Sequence, residues 1–588
     1  MKNKLFVFMA TLMLLALFTA HADTHRWLSG KNGNFSTAAN WMIKDGNTGV
    51  APSSGDDVEV WFNTATAKNW LYVTNDLASS FNFGNIYFSA CSMNVASNIT
   101  LASGKRILVA SSPSSPFATV VKDSGNWSIG QDFLVGGDNH TGVTGVFTNK
   151  SGNIIANSGF TYIGQGLSST GELVNVKGTL QTMKMLVANQ NANSRGTYIH
   201  ENGTLNLTAS GLGASVSCLE VGGVGYGRFI MNGGTFKYKH CMTLGSSSGS
   251  KGDMIIYGGT VTNLNDRGWV HIGWSGRGSL QVGGAAGKYA KFDTGGEDLL
   301  FGGWLSPDNE TNKLTLCTGG TLHTRHIRYH NGNSGANKGI ASFVFDGGTL
   351  QMYYDSSTQN IFNGDGSTWG NVNNLKTKLL PSVTENNGTI DTQGGDSVLT
   401  LPFTGPGKII KTGNNTLTVS IAQQNKGGFE VNSGTLKFTA TGNILGSSPL
   451  YVRSGTFSCT NATLASKVEV LEGAKLASTG TLTFNSQTSL KVGYHSLSSW
   501  SSDLSKISAK GISVNSAVVV PITFETPVQF NLGDTYTLIK DAGLSSVNNF
   551  SIVSAKAKGD DITSGVYLAV ESGNLVLKRK PYFTIKVR

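Results

Sequence analysis

The chain is 588 residues long, with 76 Gly, 11 Pro, 39% hydrophobic and 14% charged residues. That apolar share excludes a disordered polyelectrolyte, and no run of ten or more residues beyond position 22 carries apolar residues at helical spacing, which excludes a helical bundle. The formal charge of +10 (45 − 35) points weakly to anionic partners such as acidic polysaccharide, whereas the lack of a basic helix or RNA-binding motif argues against nucleic acid.

The first elements are those of a secretory signal. Lys2 and Lys4 precede an apolar run from Leu5 to Phe18, and Ala20-His21-Ala22 supplies small residues at a cleavage position. At 14 residues the run is shorter than the about 20 needed to span a bilayer. Residues 1–22 are therefore expected to be a signal peptide cleaved after Ala22, with the protein exported across the inner membrane and no later membrane span. Loss of Lys2 and Lys4 would leave a charge of +8 (10 − 2). No Cys follows the cleavage position, so no lipid anchor is expected.

Residues 23–125 lack a regular period and contain Trp27, Trp41, Trp61 and Trp70. They are expected to form an N-terminal cap, because an open repeat array exposes unpaired backbone and core at its end.

From about 126 to 490 the chain repeats. A Gly-Thr pair followed by an apolar residue recurs at Gly178, Gly203, Gly234, Gly259, Gly320, Gly348, Gly388, Gly434, Gly455 and Gly480, at spacings of 25, 31, 25, 61, 28, 40, 46, 21 and 25. The longest gap is read as holding a degenerate copy near Gly283-Gly284. A second landmark, an apolar pair ending in Gly, appears as Phe133-Leu134-Val135-Gly136 and Leu219-Glu220-Val221-Gly222, and again at Met242–Gly245, Val270–Gly273 and Leu299–Gly302. A unit is thus three short strands in roughly 25 residues, with no room for a crossover helix of a dozen residues. Such a unit cannot bury its own apolar side chains, but stacked units can, at about 4.8 Å per coil. A β-propeller blade needs about 40 residues, so the period predicts an all-β fold, a parallel β-helix. Val221, Leu244, Ile272 and Phe301 are predicted to face inward in adjacent coils, with Glu220, Thr243 and His271 outward. Asp355 to Lys378, around Trp369, is read as a projecting loop. Residues 491–588, where the period fades, are read as a C-terminal β cap.

The stretch Gly405-Pro406-Gly407-Lys408-Ile409-Ile410-Lys411-Thr412-Gly413-Asn414-Asn415-Thr416-Leu417-Thr418-Val419, with Gly427-Gly428-Phe429-Glu430-Val431-Asn432-Ser433-Gly434-Thr435-Leu436, resembles the autotransporter-associated β-strand repeat. The segment from Trp27 through Asn40-Trp41 to Pro52 and Asp56-Asp57-Val58 is similar to the start of large surface proteins carrying such repeats. The resemblance implies a right-handed parallel β-helix at the surface or exterior of a Gram-negative-type bacterium, and no catalytic residues. A translocating barrel would need many strands of about ten residues, and the tail after 490 is too short for one.

Candidate chemistry is sparse. Glu297-Asp298 and Asp308 to Glu310 are the densest acidic spots and read as turn carboxylates. The string His323-Thr324-Arg325-His326-Ile327-Arg328-Tyr329-His330 reads as a solvated basic outer strand, with an anion-binding strip as the functional alternative. Trp274 and Trp304, just beyond the apolar-Gly landmark in neighbouring coils, are candidate ligand-binding residues as an aromatic platform for sugar rings, against packing beneath a turn. Five cysteines (Cys91, Cys218, Cys241, Cys317, Cys459) show no CxxC spacing, so no metal site is expected. Cys218 and Cys241 each stand four residues before a landmark Gly, which makes them a candidate disulfide. The expectation is an exported, non-enzymatic surface or matrix protein without cofactor, adhesive or polysaccharide-binding. The alternative is a carbohydrate-active β-helix enzyme, a polysaccharide lyase or glycoside hydrolase.

Overall fold

The computed structural model describes residues 24–581, apart from 29–31, 44–47, 62–70, 111–115, 139, 214–215, 265–267, 304–310, 331–338, 354–357, 364–376, 443, 472–473, 494–506, 515–519, 527–534 and 541–542. The signal segment, Trp70, Trp304, Trp369 and Asp308 to Glu310 lie outside the described residues. The structure is all-β, a parallel β-helix. It divides into two compact units, Met1–Leu212 with Gly223–Gly227, and Gly213–Gly222 with Arg228–Arg588. Among the described residues no helix is long and apolar enough to cross a membrane.

In the first unit, Thr24–Trp27 pairs antiparallel with Trp41–Ile43 and parallel with Asp57–Trp61. Every further pairing of that sheet within the unit that has a recorded register is parallel, from Val58↔Ile86 through Ile107↔Phe133 to Thr161↔Met185. Parallel stacking therefore reaches back well before residue 126. The alternation of apolar and polar positions sets the faces. Val60, Phe88, Val109, Val135, Ile163 and Val187 form one inward ladder, all buried, each such side chain contributing about 1.5–3 kcal/mol. At the start, Trp27 and Trp41 meet edge to face at 4.7 Å with Phe35 against both, and all three are buried. These aromatics fill the interior between Thr24–Trp27 and Trp41–Ile43.

In the second unit the earlier coils carry three strands, for example Arg277–Val282, Ala290–Asp293 and Leu299–Phe301, and later ones two, for example Phe429–Val431 and Thr435–Phe438. Val221, Leu244, Ile272 and Phe301 pair in succession and are fully buried, as the period predicted. The parallel register between these successive coils rules out separate antiparallel blades. Thr235, Thr260, Lys291, Thr321, Thr349 and Thr389 form one ladder. The degenerate corner in the long gap is thus Ala290-Lys291, opposite Gly259-Thr260, rather than Gly283-Gly284.

Two landmark glycines show why the corners need them. Gly245 has φ 69°, and a Cβ there would sit 2.3 Å from the Arg277 carbonyl oxygen. Gly259 has φ 87°, and a Cβ there would sit 2.4 Å from the Gly234 carbonyl oxygen. A side chain would be strained in both conformation and space.

The later Gly-Thr pairs belong to a different sheet, in which Thr416, Thr435, Thr456 and Lys475 align. Gly480-Thr481 falls out of that phase, with Thr481 opposite Gly511. Parallel pairing continues to Val520–Thr526 against Phe550–Ala557. Antiparallel pairs follow, Thr535–Lys540 with Asn574–Arg579 and the latter with Val566–Glu571.

Candidate functional site

The unusual string sits in the second unit on the strands Gly320–Thr324 and Ile327–Tyr329. Strand alternation holds: Leu322, Ile327 and Tyr329 are buried inward, and Arg328 lies outward in the ladder Thr243, His271, Leu300, Arg328. The expected solvated basic strand is not what forms. His326 and His330 are buried, as are the outward-ladder residues His271 and Leu300.

The reason is the preceding coil. Leu299 stands opposite Ile327, which sets Asp298 beside the His326 corner. Asp298 is only 3% exposed and lies 3.1 Å from Arg325 Nε and 2.7 Å from Arg328 Nε. His326 Nε2 contacts Gln359 Oε1 at 2.6 Å. His323 Nδ1 contacts Asp293 Oδ2 at 3.1 Å, with Lys291 Nζ on the same oxygen at 3.2 Å and the Tyr353 ring stacked on His323 at 4.7 Å. Burial pushes the Asp293 carboxyl up, but the hydrogen bonds from His323 and the Gly295 N–H, with the nearby positive charge, overcome it and hold the group at about 2. Asp293 is therefore an anion throughout the neutral range and unsuited to general-acid work.

Glu297-Asp298, read from sequence as turn carboxylates, are thus the counter-charges of the strip, and an open anion-binding strip is not available at Arg325 and Arg328. The sequence signal was there in the opposite signs one coil apart, but only the register shows which charges meet.

Trp274 is half-buried. Its ring meets His271 edge to face at 4.5 Å and His330 at 5.9 Å, so it roofs the two histidines. Burial, with the neighbouring His330 adding to it, pushes the His271 imidazole down to about 3, and burial also lowers His330. Both are neutral at neutral pH. Trp304, its proposed partner in a platform, lies outside the described residues.

Cys218 and Cys241 are both buried thiols and form no disulfide. Equal spacing to the landmark Gly does not align them, because the register shifts between Ser217 and Leu219, leaving Cys241 opposite Ser217. Burial pushes the Cys241 thiol up, away from the thiolate that exchange requires. Among the described residues no three His, Cys, Asp or Glu side chains converge as a metal set.

No family model, curated protein or solved structure matches this chain. The functional reading therefore rests on geometry and on the sequence features above.

The first unit holds a polar feature that the sequence reading missed. Lys122, Asn149, Asn175 and His200 occupy one inward ladder and are all buried. Lys122 Nζ donates to Asn149 Oδ1 at 2.9 Å and to the Ser151 carbonyl. Asn149 Nδ2 donates to Asn175 Oδ1 at 2.7 Å, and Asn175 Nδ2 lies 3.3 Å from His200 Nδ1. The ammonium has only donors, so it fixes the orientation of both amides and makes His200 Nδ1 the acceptor. The recoverable signal was a polar residue three positions before the corner glycines Gly125, Gly152, Gly178 and Gly203.

Proposed function

We propose that this chain is an exported, non-catalytic β-helical scaffold of the autotransporter-associated repeat type, working at the cell surface or in an extracellular matrix by adhesion or polysaccharide binding. The observation that carries the non-catalytic reading is the Asp298 clamp. The carboxylates nearest the one chemically unusual strand are committed to fixed cations, Asp298 to Arg325 and Arg328 and Asp293 to Lys291 and His323. A polysaccharide lyase or hydrolase needs carboxylates positioned for a metal or for proton transfer to substrate. The signal-like N-terminus supports export, and the repeat resemblance supports the scaffold role.

The test is a paired screen of the protein against acidic and neutral polysaccharides, scoring binding and the release of reducing or unsaturated ends. Binding without release is expected. Release of ends that disappears in Asp298→Asn or Asp293→Asn would promote the enzyme.

A further inference from the structure

The strands Ile409–Thr412, Phe429–Val431, Leu450–Val452, Lys467–Val470 and Ser489–Gly493 stack in parallel in the second unit. Their inward positions Val431, Val452, Val470 and Val492 are fully buried. Their outward ladder reads Ile410, Glu430, Tyr451, Glu469, Lys491. Three cations from different coils converge on the Tyr451 ring: Lys408 at 5.2 Å, Arg453 at 5.1 Å and Lys467 at 5.3 Å from its centroid. Cation–π attraction gathers heads that would otherwise spread apart.

Two carboxylates answer these charges. Glu430 takes Lys408 at 2.6 Å. Glu469 is shared by Arg453 at 2.7 Å, Lys467 at 3.3 Å and Lys491 at 3.7 Å. Burial pushes the Glu469 carboxyl up, but its bond from Arg453 and the charges of Arg453, Lys467 and Lys491 hold it below the usual range. Four cations against two carboxylates leave this face at +2 (4 − 2) among the described side chains. Lys467 is half exposed and Arg453 one-third exposed, and Arg453 contacts Glu469 through Nη1.

We propose that this face is the binding site for an acidic polysaccharide of the polyuronate class, lying along the coil axis across Tyr451. The cations come from four of five successive coils, about 19 Å of axis at about 4.8 Å per coil. That spacing suits an extended polyanion better than one compact ion. Single-stranded nucleic acid would call for a row of stacking rings, and this ladder holds a single aromatic, Tyr451. The proposal deepens the polysaccharide-binding reading and rests on it.

The test is affinity electrophoresis and calorimetry of the full chain with polygalacturonate, dextran and single-stranded DNA, at low and high salt. Polygalacturonate should bind, more weakly as salt screens the charges, and dextran should not. The pair Arg453→Gln with Lys467→Gln should weaken polygalacturonate binding about tenfold or more, since each charged contact is worth several-fold in affinity. Arg453→Lys with Lys467→Arg should keep most of it. Melting temperature separates lost contacts from lost fold, and the charge-retaining pair keeps the test valid should the Gln pair unfold. Unchanged binding in a folded Gln pair would overturn this site while leaving polysaccharide binding elsewhere on the chain intact. No polygalacturonate binding by the unaltered chain would overturn the proposed site, binding of no polysaccharide in the paired screen would overturn the polysaccharide-binding reading it rests on, and tighter binding of DNA than of polygalacturonate would overturn the ligand class.

Discussion

His200 gives the most quantitative handle on the first unit. It ends the buried ladder that starts at Lys122, and Asn175 Nδ2 and the Tyr198 hydroxyl both face its Nδ1, at 3.3 and 3.0 Å. Burial pushes its imidazole down to about 4, from an ordinary value of about 6.5. A depressed histidine pKa means that the unfolded chain binds the extra proton first. Stability is therefore complete above pH 6.5 and is lost as the pH falls toward 4. At 1.36 kcal/mol per unit, the difference of 6.5 − 4 amounts to about 3 kcal/mol. Protonation also places an N–H on Nδ1 against the Asn175 amide, which cannot flip because Asn149 already donates to its oxygen. His200→Asn removes the titration while leaving an oxygen to accept from Asn175. Urea unfolding followed by circular dichroism should show the variant losing about 3 kcal/mol less than the unaltered chain between pH 7 and pH 4. Parallel losses in the two proteins would refute the reasoning. NMR titration of the native chain gives a second check, and a ring titrating near 6.5 would contradict the buried ladder outright.

Asp298→Asn should lower stability by about 2 kcal/mol, under the 3–5 of a fully buried pair because Arg325 and Arg328 keep part of their hydration. Thermal melting reads it, with Arg325→Gln partly restoring what the Asn loses. Trp274→Ala should cost about 2 kcal/mol, less than a fully buried Trp, and leave polygalacturonate binding unchanged, since the ring covers His271 and His330. Loss of binding with stability intact would instead restore the platform role. Alkylation should label none of the five buried thiols in the native chain and all of them after denaturation, by intact mass. A mass lower by one disulfide would restore the Cys218–Cys241 pair.

The stacking was legible because a parallel ladder repeats the same residue class at the same place in every coil. Val221, Leu244, Ile272 and Phe301 declare themselves through the glycine that follows each. What the sequence hid is lateral. Turns of unequal length separate the landmarks, so the partner of Thr260 turned out to be Lys291, which bears no resemblance to a Gly-Thr corner. The shift at Cys218 is a local backbone irregularity that no spacing rule records. The charges of 323–330 looked solvated because their partners Asp293 and Asp298 lie about one coil earlier, a distance that means contact only once the register is known. Lys122 and His200 broke the usual equation of charge with surface, and only the repeated position before the corner glycine betrayed them.

The central claim is that this β-helix binds acidic polysaccharide and leaves it intact. The most direct measurement is incubation of the chain with polygalacturonate, monitoring bound polymer by calorimetry and new chain ends by absorbance and reducing-sugar assay in the same sample. The account predicts saturable, salt-sensitive binding with no new ends above the protein-free control. Steady release of ends, or no binding at low salt, would contradict it.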